Sequence, residues 1–242
     1  MRRAASLSCT AAVTLALALT AVAPPAPAAA QERVEIQEWD VPWADSRPRD
    51  PYVAPDGRVW FVGQRSDYAA VLDPETGEFQ RHDLPEGAGP HNLIVGEDGI
   101  VWYAGNRARH IGRLDPASGE IRQYLMPDES ARDPHTLLWG RNGEIWFTVQ
   151  GGNKVGRFDP GTGEARVVDA PTQGSRPYGI VQAPDGTIWV AAFGTNKLLR
   201  LDEVTMVIEE IELPREETRP RRLHPTSDGR VWYGDYAAGK LG

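Results

Sequence analysis

Residues 89–105 read GPHNLIVGEDGIVWYAG, and the fold of the chain can be inferred from this pattern. The pair Asp98-Gly99 separates two runs rich in β-branched and aromatic residues. Aspartate followed by glycine favours the positive φ angles of a tight hairpin turn, so the runs are predicted to be paired strands. A hairpin does not require a histidine, yet His91 follows Pro90 at the start of the first run. Its presence needs a separate explanation.

The hairpin pattern recurs along the chain at a regular spacing. An Asp-Gly or Asn-Gly turn followed by tryptophan occurs at steps of 42 to 44 residues, as DGRVW (56–60), DGIVW (98–102), NGEIW (142–146), DGTIW (185–189) and DGRVW (228–232). Self-similarity at a fixed period of this length is the mark of a repeat architecture.

Two further patterns keep the same spacing. Acidic turns follow three of the tryptophans, as LDPETGE (72–78), LDPASGE (114–120) and FDPGTGE (158–164). A proline stands eight residues before each Asp/Asn-Gly turn, at Pro48, Pro90, Pro134, Pro177 and Pro220. The agreement of three patterns indicates an internal repeat of about 43 residues.

Each repeat is predicted to form four short strands. In the second copy the strands are HNLIV, IVWYA, RHIGRLD and EIRQY, separated by turn residues. Four short strands per repeat of this length are typical of a β-propeller blade. The tryptophan of the second strand is expected to pack between neighbouring blades, where an aromatic ring buries a large area. The predicted fold class is therefore all-β, a β-propeller of four-stranded blades with about five blades present.

The two ends of the repeat region add a further expectation. VEIQEWDVP (34–42) matches the outermost strand of a blade, and the final GKLG (239–242) lies within the third strand of the fifth repeat. A closed ring of five blades would lack part of its closing strand, and an open strand edge favours aggregation. We therefore expect a longer propeller truncated by about two blades.

The first thirty residues differ from the rest of the chain. Arg2 and Arg3 precede an apolar run of about a dozen residues and a small-residue end, which is typical of a secretory signal peptide. The expected domains are a signal peptide at 1–30 and a propeller at 31–242. The expected location is the periplasm or the extracellular space. Cys9, the one cysteine, lies in this segment, so disulfides and thiol chemistry are not expected in the mature chain.

The charge of the chain limits its partners. The formal net charge is −8, and removal of Arg2 and Arg3 would make it more negative. An acidic protein is a poor candidate for binding nucleic acid or an anionic membrane surface. No apolar stretch after residue 30 is long enough to span a membrane. We expect a monomer that binds a small-molecule substrate.

The residue after each repeated proline is the strongest candidate for function. These residues begin the innermost strand of each blade, so they are expected to converge at one mouth of the central channel. His91 and His135 on adjacent blades could share proton transfer as base and acid. Tyr178 could orient a substrate oxygen. The set is Arg49, His91, His135, Tyr178 and Arg221.

The stretch WFTVQGGNKVGRFD (146–159) and the frame P-[HY]-x-[LI]…DG…W resemble the streptogramin B lyase (virginiamycin B lyase) family of seven-bladed propellers. The resemblance covers residues 34–242. It implies that His91, His135 and Tyr178 are catalytic, because the family has two Pro-His blades followed by a Pro-Tyr blade. The implied reaction is elimination. A base removes a Cα proton beside a carbonyl, and the ester C–O bond of a cyclic depsipeptide antibiotic opens without water.

The resemblance also implies a magnesium ion. The family places an acid directly before the second Pro-His, where this chain has Asp133, and a glutamate at the position of Gln150. A neutral amide is a weaker magnesium ligand than a carboxylate. Arg49 and Arg221 are expected to bind an anion or carboxylate of the substrate.

Other interpretations stay open at this level. A channel histidine can simply hydrogen-bond the backbone of a neighbouring blade, and Asp133 can serve only to shape the turn before Pro134. The chain could be a non-catalytic propeller that binds a ligand or a protein. It could also be a metal-dependent hydrolase of the gluconolactonase type, which would need several carboxylate ligands in the channel.

Overall fold

The computed structural model describes residues 35–242, and within this range the chain forms nineteen strands and no helix. No helix long and apolar enough to cross a membrane is present among these residues. Residues Trp39–Gly242 form one unit by their contacts. The predicted signal peptide lies outside the described residues, so export stays a prediction.

The strands form five antiparallel sheets, each of which is one blade of a propeller. Blade 1 contains β1 (Pro48–Val53), β2 (Val59–Gly63), β3 (Tyr68–Leu72) and β4 (Phe79–Asp83). Blade 2 contains β5 (Pro90–Val95), β6 (Val101–Gly105), β7 (His110–Leu114) and β8 (Ile121–Leu125). Blade 3 contains β9 (Pro134–Trp139), β10 (Ile145–Val149), β11 (Lys154–Asp159) and β12 (Glu164–Asp169).

The last two blades differ in their number of strands. Blade 4 contains β13 (Pro177–Gln182), β14 (Ile188–Ala192), β15 (Lys197–Leu201) and β16 (Ile208–Glu212). Blade 5 contains β17 (Pro220–Pro225), β18 (Val231–Asp235) and β19 (Lys240–Leu241). The β-propeller fold is confirmed, with four blades of four strands and a fifth of three in the described range. Truncation of a longer propeller stays a prediction.

The repeated turns are the ones that the sequence indicates. Gly57, Gly99, Gly143, Gly186 and Gly229 all have positive φ, between 77° and 93°. These glycines join the first and second strands of their blades. A residue with a Cβ atom is disfavoured in this backbone region, which explains why the position is glycine in every repeat.

The core lies between neighbouring blades. Trp60 packs with residues of blade 2, and Trp146 packs with residues of blade 4. Both side chains are almost fully buried, and Trp102 between blades 2 and 3 is 5% exposed. Burial of such large apolar surfaces is the main force that holds one sheet against the next. The prediction that these tryptophans pack between blades is confirmed.

The same prediction is wrong for Trp232. Its side chain is 45% exposed, and that of Trp189 is half-buried. Trp232 lies on β18 of blade 5, and the described residues contain no following blade to cover the ring as blade 2 covers Trp60. The repeat position alone therefore does not bury the ring.

The predicted outermost strand at 34–42 is also not formed in the described part, since residues 35–41 have no regular secondary structure. The third strand of blade 5 is only two residues long, so it offers little edge for pairing. The chain instead turns at residues 42–45, and Trp43 packs edge-on against Tyr68 and Phe79 of blade 1. The Tyr68 hydroxyl donates a hydrogen bond to Ser46 and fixes this turn.

Replacement of a tryptophan by alanine should destabilise the protein only where a blade covers the ring. Trp146→Ala should lower the free energy of unfolding by about 3–5 kcal/mol, because it leaves a cavity between blades. Trp232→Ala should cost less than about 1 kcal/mol, since much of the ring is already in water. Urea unfolding of the two variants and the wild type would measure this. Equal losses for both variants would contradict the packing described.

Candidate active site at the channel mouth

Each innermost strand carries a β-bulge directly after its first one or two residues. The register shifts fall between Pro90 and Leu93 in β5 and between Pro177 and Ile180 in β13, with equivalent shifts in the other three blades. A bulge sets two residues opposite one and turns their side chains away from the regular pleat. In blades 2 to 5 the bulge residues are the two that follow the repeated proline, whereas in blade 1 the bulge begins one residue later, at Asp50.

The bulges bring three of the candidate residues into contact. The rings of His91 and His135 lie 3.6 Å apart between centroids, tilted by 36°. The ring of Tyr178 lies 4.2 Å from that of His135. All three side chains are at most 5% exposed. The structure therefore places blades 2, 3 and 4 around one small volume, as the sequence analysis expected.

Two arginines of blade 5 complete the cluster. Arg221 donates a hydrogen bond of 3.0 Å from Nη2 to the hydroxyl oxygen of Tyr178. Arg222 pairs with Asp50 of blade 1, with Nη2 and Oδ1 separated by 3.1 Å. This ion pair joins residues 172 positions apart in the chain. The expected position of Arg221 at the mouth is thus observed, next to Tyr178.

Asp50 also faces the histidine pair. Its Oδ2 lies 3.6 Å from Nδ1 of His91, which is longer than a hydrogen bond. Nδ1 of His91 is buried and has no hydrogen-bond partner among the described residues. A buried ring nitrogen without a partner is unusual in a folded protein, so this atom is a candidate for accepting a proton from a substrate or donating one to it.

Hydrogen bonds between blades hold the bulges in place. The amide oxygen of Asn92 accepts a bond of 2.8 Å from the backbone N–H of Leu137. Thr148 donates through its hydroxyl to the carbonyl oxygen of Tyr178, at 2.8 Å. Nδ1 of His135 lies 2.9 Å from the hydroxyl of Thr136, which fixes the orientation of the ring. These contacts preorganise the three aromatic side chains.

Both histidines are neutral over the physiological pH range. Burial, together with the nearby charge of Arg49, lowers the pKa of His91 to about 3 against the opposing effect of Asp50. Burial lowers the pKa of His135 to about 2, with His91 as the next cause. A neutral imidazole has one nitrogen lone pair, so either residue can act as a base.

Arg49 lies close to the cluster but contacts another residue. Its Nη1 donates a hydrogen bond of 3.0 Å to the amide oxygen of Gln64. Arg49 nevertheless lowers the pKa of both histidines through its charge. It therefore contributes to a positive potential at the mouth rather than to the aromatic contact.

The donors implied for magnesium do not fit a magnesium ion well. Both carboxylate oxygens of Asp133 accept the backbone N–H of Gly151, at 2.7 and 2.8 Å. Gln150 offers a neutral amide where a carboxylate would be needed. Within residues 35–242 there is no group of three or more histidine, cysteine, aspartate or glutamate side chains able to hold a metal.

Sequence reasoning missed the residue two places after each repeated proline. Asp50, Asn92, Thr136 and Arg222 occupy this position, and all four make contacts in the site. One signal was available, since the residue two places after the repeated proline is never apolar. Gly179 has the same position in blade 4, where a Cβ would lie 2.6 Å from the carbonyl oxygen of Arg221. A side chain there would separate blades 4 and 5.

Comparison with known proteins identifies the family of the chain. A model of the virginiamycin B lyase family matches residues 2–242. The chain belongs to that family. No curated protein sequence was found to match the chain.

A solved structure of a virginiamycin B lyase is also similar to the chain. A catalytically inactive histidine-to-alanine variant of virginiamycin B lyase from Staphylococcus aureus, with quinupristin, is 25% identical to this chain. The match has a TM-score of 0.80 and covers 86% of this chain and 70% of that one.

Two more distant structures share the fold. A streptogramin B lyase is 24% identical with a TM-score of 0.57, over 85% of this chain and 82% of that one. A putative gluconolactonase is 17% identical with a TM-score of 0.60, over 77% of this chain and 70% of that one. At these identities the likeness extends to the fold alone.

The low pKa values of the histidine pair predict an acid-sensitive fold. The unfolded chain binds protons on both imidazoles below about pH 6.5, whereas the folded chain does not until about pH 3 or 2. Unfolding is therefore favoured progressively as the pH falls through this window. The double variant His91→Gln, His135→Gln should reduce the slope of the free energy of unfolding plotted against pH, between about pH 4 and 6. The expected reduction is up to about 1.4 kcal/mol per pH unit for each histidine.

The measurement is urea unfolding at several pH values, with slopes rather than absolute stabilities compared. The single variant His224→Gln is the control, because His224 is exposed on β17. An unchanged slope in the double variant would mean that the two imidazoles are not held neutral.

Proposed function

We propose that the chain is a carbon–oxygen lyase that opens its substrate by elimination. The observation that carries this proposal is the contact of the neutral His91–His135 pair with Tyr178 in the channel mouth of a virginiamycin B lyase family member. A cyclic depsipeptide of the streptogramin B class is the first substrate to test, since relatives of the chain are lyases of that class.

The first role in the proposed mechanism is that of the base. His135 takes the proton from the carbon beside a carbonyl group. If its Nδ1–H donates to Thr136 at 2.9 Å, the lone pair of Nε2 is left to accept the proton. The tilted ring of His91, with its centroid 3.6 Å away, packs against His135 and restricts its movement. Burial excludes water, which would otherwise compete for the lone pair.

The second role is stabilisation of the developing negative charge. As the C–H bond breaks, charge moves onto the carbonyl oxygen, and fixed positive groups lower the energy of that state. Arg221 and Arg222 lie at the same mouth, with guanidinium carbons 5.1 and 5.2 Å from the centre of the Tyr178 ring. These guanidinium groups supply the charge in the proposed step.

The third role is donation of a proton to the leaving oxygen where that oxygen needs one. The Tyr178 hydroxyl accepts a hydrogen bond from Arg221, so its own proton is free to be donated. The electron pair of the broken C–H bond becomes the new carbon–carbon double bond, and the C–O bond breaks. No water enters the product.

Elimination and hydrolysis give products of different mass. The elimination product of streptogramin B is an isomer of the substrate, whereas hydrolysis adds one water. We expect ring-opened product of unchanged mass, with no label from heavy-oxygen water, by mass spectrometry. Incorporation of the label would indicate a hydrolase of the lactonase type. No ring opening would favour a non-catalytic binding propeller.

Replacement of the proposed base should remove the reaction. His135→Ala should lower kcat/KM by about 10²–10⁴-fold, the usual contribution of a positioned base. His224→Ala, at an exposed position of blade 5, should keep wild-type activity. Full turnover by His135→Ala would overturn the mechanism. A chelator added to the wild type would test whether magnesium, which only the family resemblance implies, takes part.

The hydroxyl of Tyr178 should contribute to the reaction rate independently of the packing of its ring. Tyr178→Phe keeps the ring packing and removes the group that Arg221 contacts, so kcat should fall at least about tenfold. Tyr103→Phe is the matched control, because that hydroxyl is buried within blade 2 beside His110. Equal activity of both variants would exclude Tyr178 as the proton donor.

A further inference from the structure

A groove next to the histidine pair is lined mainly by arginine and amide side chains. It has a volume of about 380 Å³ and lies over the loops of blades 1 to 3. Gln64 and Asn106 provide amide groups along it. The guanidinium groups come from Arg47, Arg65, Arg107, Arg109 and Arg132.

The positive charge of this groove is not neutralised by the chain itself. Asp133 is the one acidic residue among the described residues that line the groove, so a single negative charge faces five arginines. The ion pairs found among residues 35–242 involve none of the five groove arginines. Such a concentration of unpaired arginine is unexpected in a chain of net charge −8.

The groove and the histidine pair belong to one surface. Gln64 of the groove accepts the hydrogen bond from Arg49, whose charge acts on both histidines. Asn106 donates a bond of 3.1 Å to the carbonyl oxygen of Pro134, directly before His135. Arg47 lines the groove and also acts on His91. A ligand extending from the histidines would therefore enter the groove.

The channel mouth also lacks negative charge. Arg49, Arg221 and Arg222 surround the pair, and Asp50, the acidic group nearest to His91, is paired with Arg222. A bound carboxylate would supply the missing charge. It would also raise the pKa of the histidines, since an opposite charge nearby favours the protonated form. An anionic substrate would thereby make the proposed base stronger.

We propose that the mouth and groove bind an oligomeric carboxylate of the uronate oligosaccharide class, and that this is the substrate class of the elimination. The inference about turnover rests on the proposed function, whereas the inference about binding does not. Arginines pair with carboxylates in a bidentate way, and the amides suit sugar hydroxyls. None of the described residues that line the groove is aromatic, so it offers no surface for stacking nucleic-acid bases.

The elimination balances for such a substrate. The carbon that bears the carboxylate loses its proton to His135, and the electron pair forms a double bond to the neighbouring carbon. The C–O bond on that neighbour breaks, and its oxygen takes the proton of Tyr178. His135 then releases its proton to solvent and Tyr178 regains one from solvent, so the cycle ends with both groups as they began. Arginine paired with the carboxylate stabilises the charge that builds there before the C–O bond breaks.

A comparison of the affinities for oligogalacturonate and for its methyl ester separates the effect of ligand charge from that of ligand shape. The two probes share one carbon skeleton, and only the acid is anionic. We expect the acid to bind at least about tenfold more tightly by titration calorimetry, and added salt to weaken it. Equal affinity for acid and ester, or tighter binding of a single-stranded DNA oligonucleotide, would overturn the inference.

Variants in the groove locate the site without touching the proposed catalytic residues. The double variant Arg65→Gln, Arg107→Gln should weaken binding of the acid about tenfold, because two exposed cations are lost. Arg166→Gln is the matched control, since Arg166 is exposed on β12 of blade 3. Wild-type affinity in the double variant would also overturn the inference.

Turnover is measured separately, by the ultraviolet absorbance of the new double bond conjugated to the carboxylate. Preferred binding of the acid with no elimination of oligogalacturonate or streptogramin B would overturn the proposed function and leave the anionic site established. Elimination of streptogramin B with no preference for the acid would overturn the anionic class and leave the lyase established. Preferred binding together with elimination of the acid would support both.

Discussion

The site depends on the β-bulge at the start of each innermost strand. A regular strand would alternate its side chains between the two faces of the blade, toward the neighbouring sheets. The bulge releases two residues from this alternation, and the packing of blade on blade fixes where they meet. The contact of His91 with His135 at 3.6 Å is therefore a consequence of sheet packing, and it needs no helix or long loop.

Burial and this contact together keep the pair neutral. Two protonated imidazoles at this distance would repel each other in surroundings that exclude water, so a proton on one ring opposes a proton on the other. The neighbouring guanidinium groups strengthen this effect, because they oppose any added positive charge. Neutral imidazoles can pack closely without repulsion, so the packing of the two rings favours the neutral form of both.

The repeat pattern allowed the fold and much of the site to be predicted, because every blade repeats the same local rule. The proline marks the start of the inner strand, and His91, His135 and Tyr178 follow from it. Partners between distant repeats could not be predicted. The pair Arg222–Asp50 spans the chain, and no local pattern links its members. The environment of Trp232 was missed for the same reason, since burial depends on a neighbouring sheet.

The arginines connect the charge state of the histidines to the proposed chemistry. A base with a pKa far below neutrality removes protons poorly from carbon acids, so the free site is a weak catalyst by itself. A bound carboxylate would change the charge of the site and the strength of the base together, because it would pair with arginine and raise the pKa of the nearby imidazole. The same guanidinium groups then face the oxygen on which charge develops. A substrate without negative charge would leave the pKa of the base low, so under the proposed mechanism the positive mouth would favour anionic substrates over neutral ones.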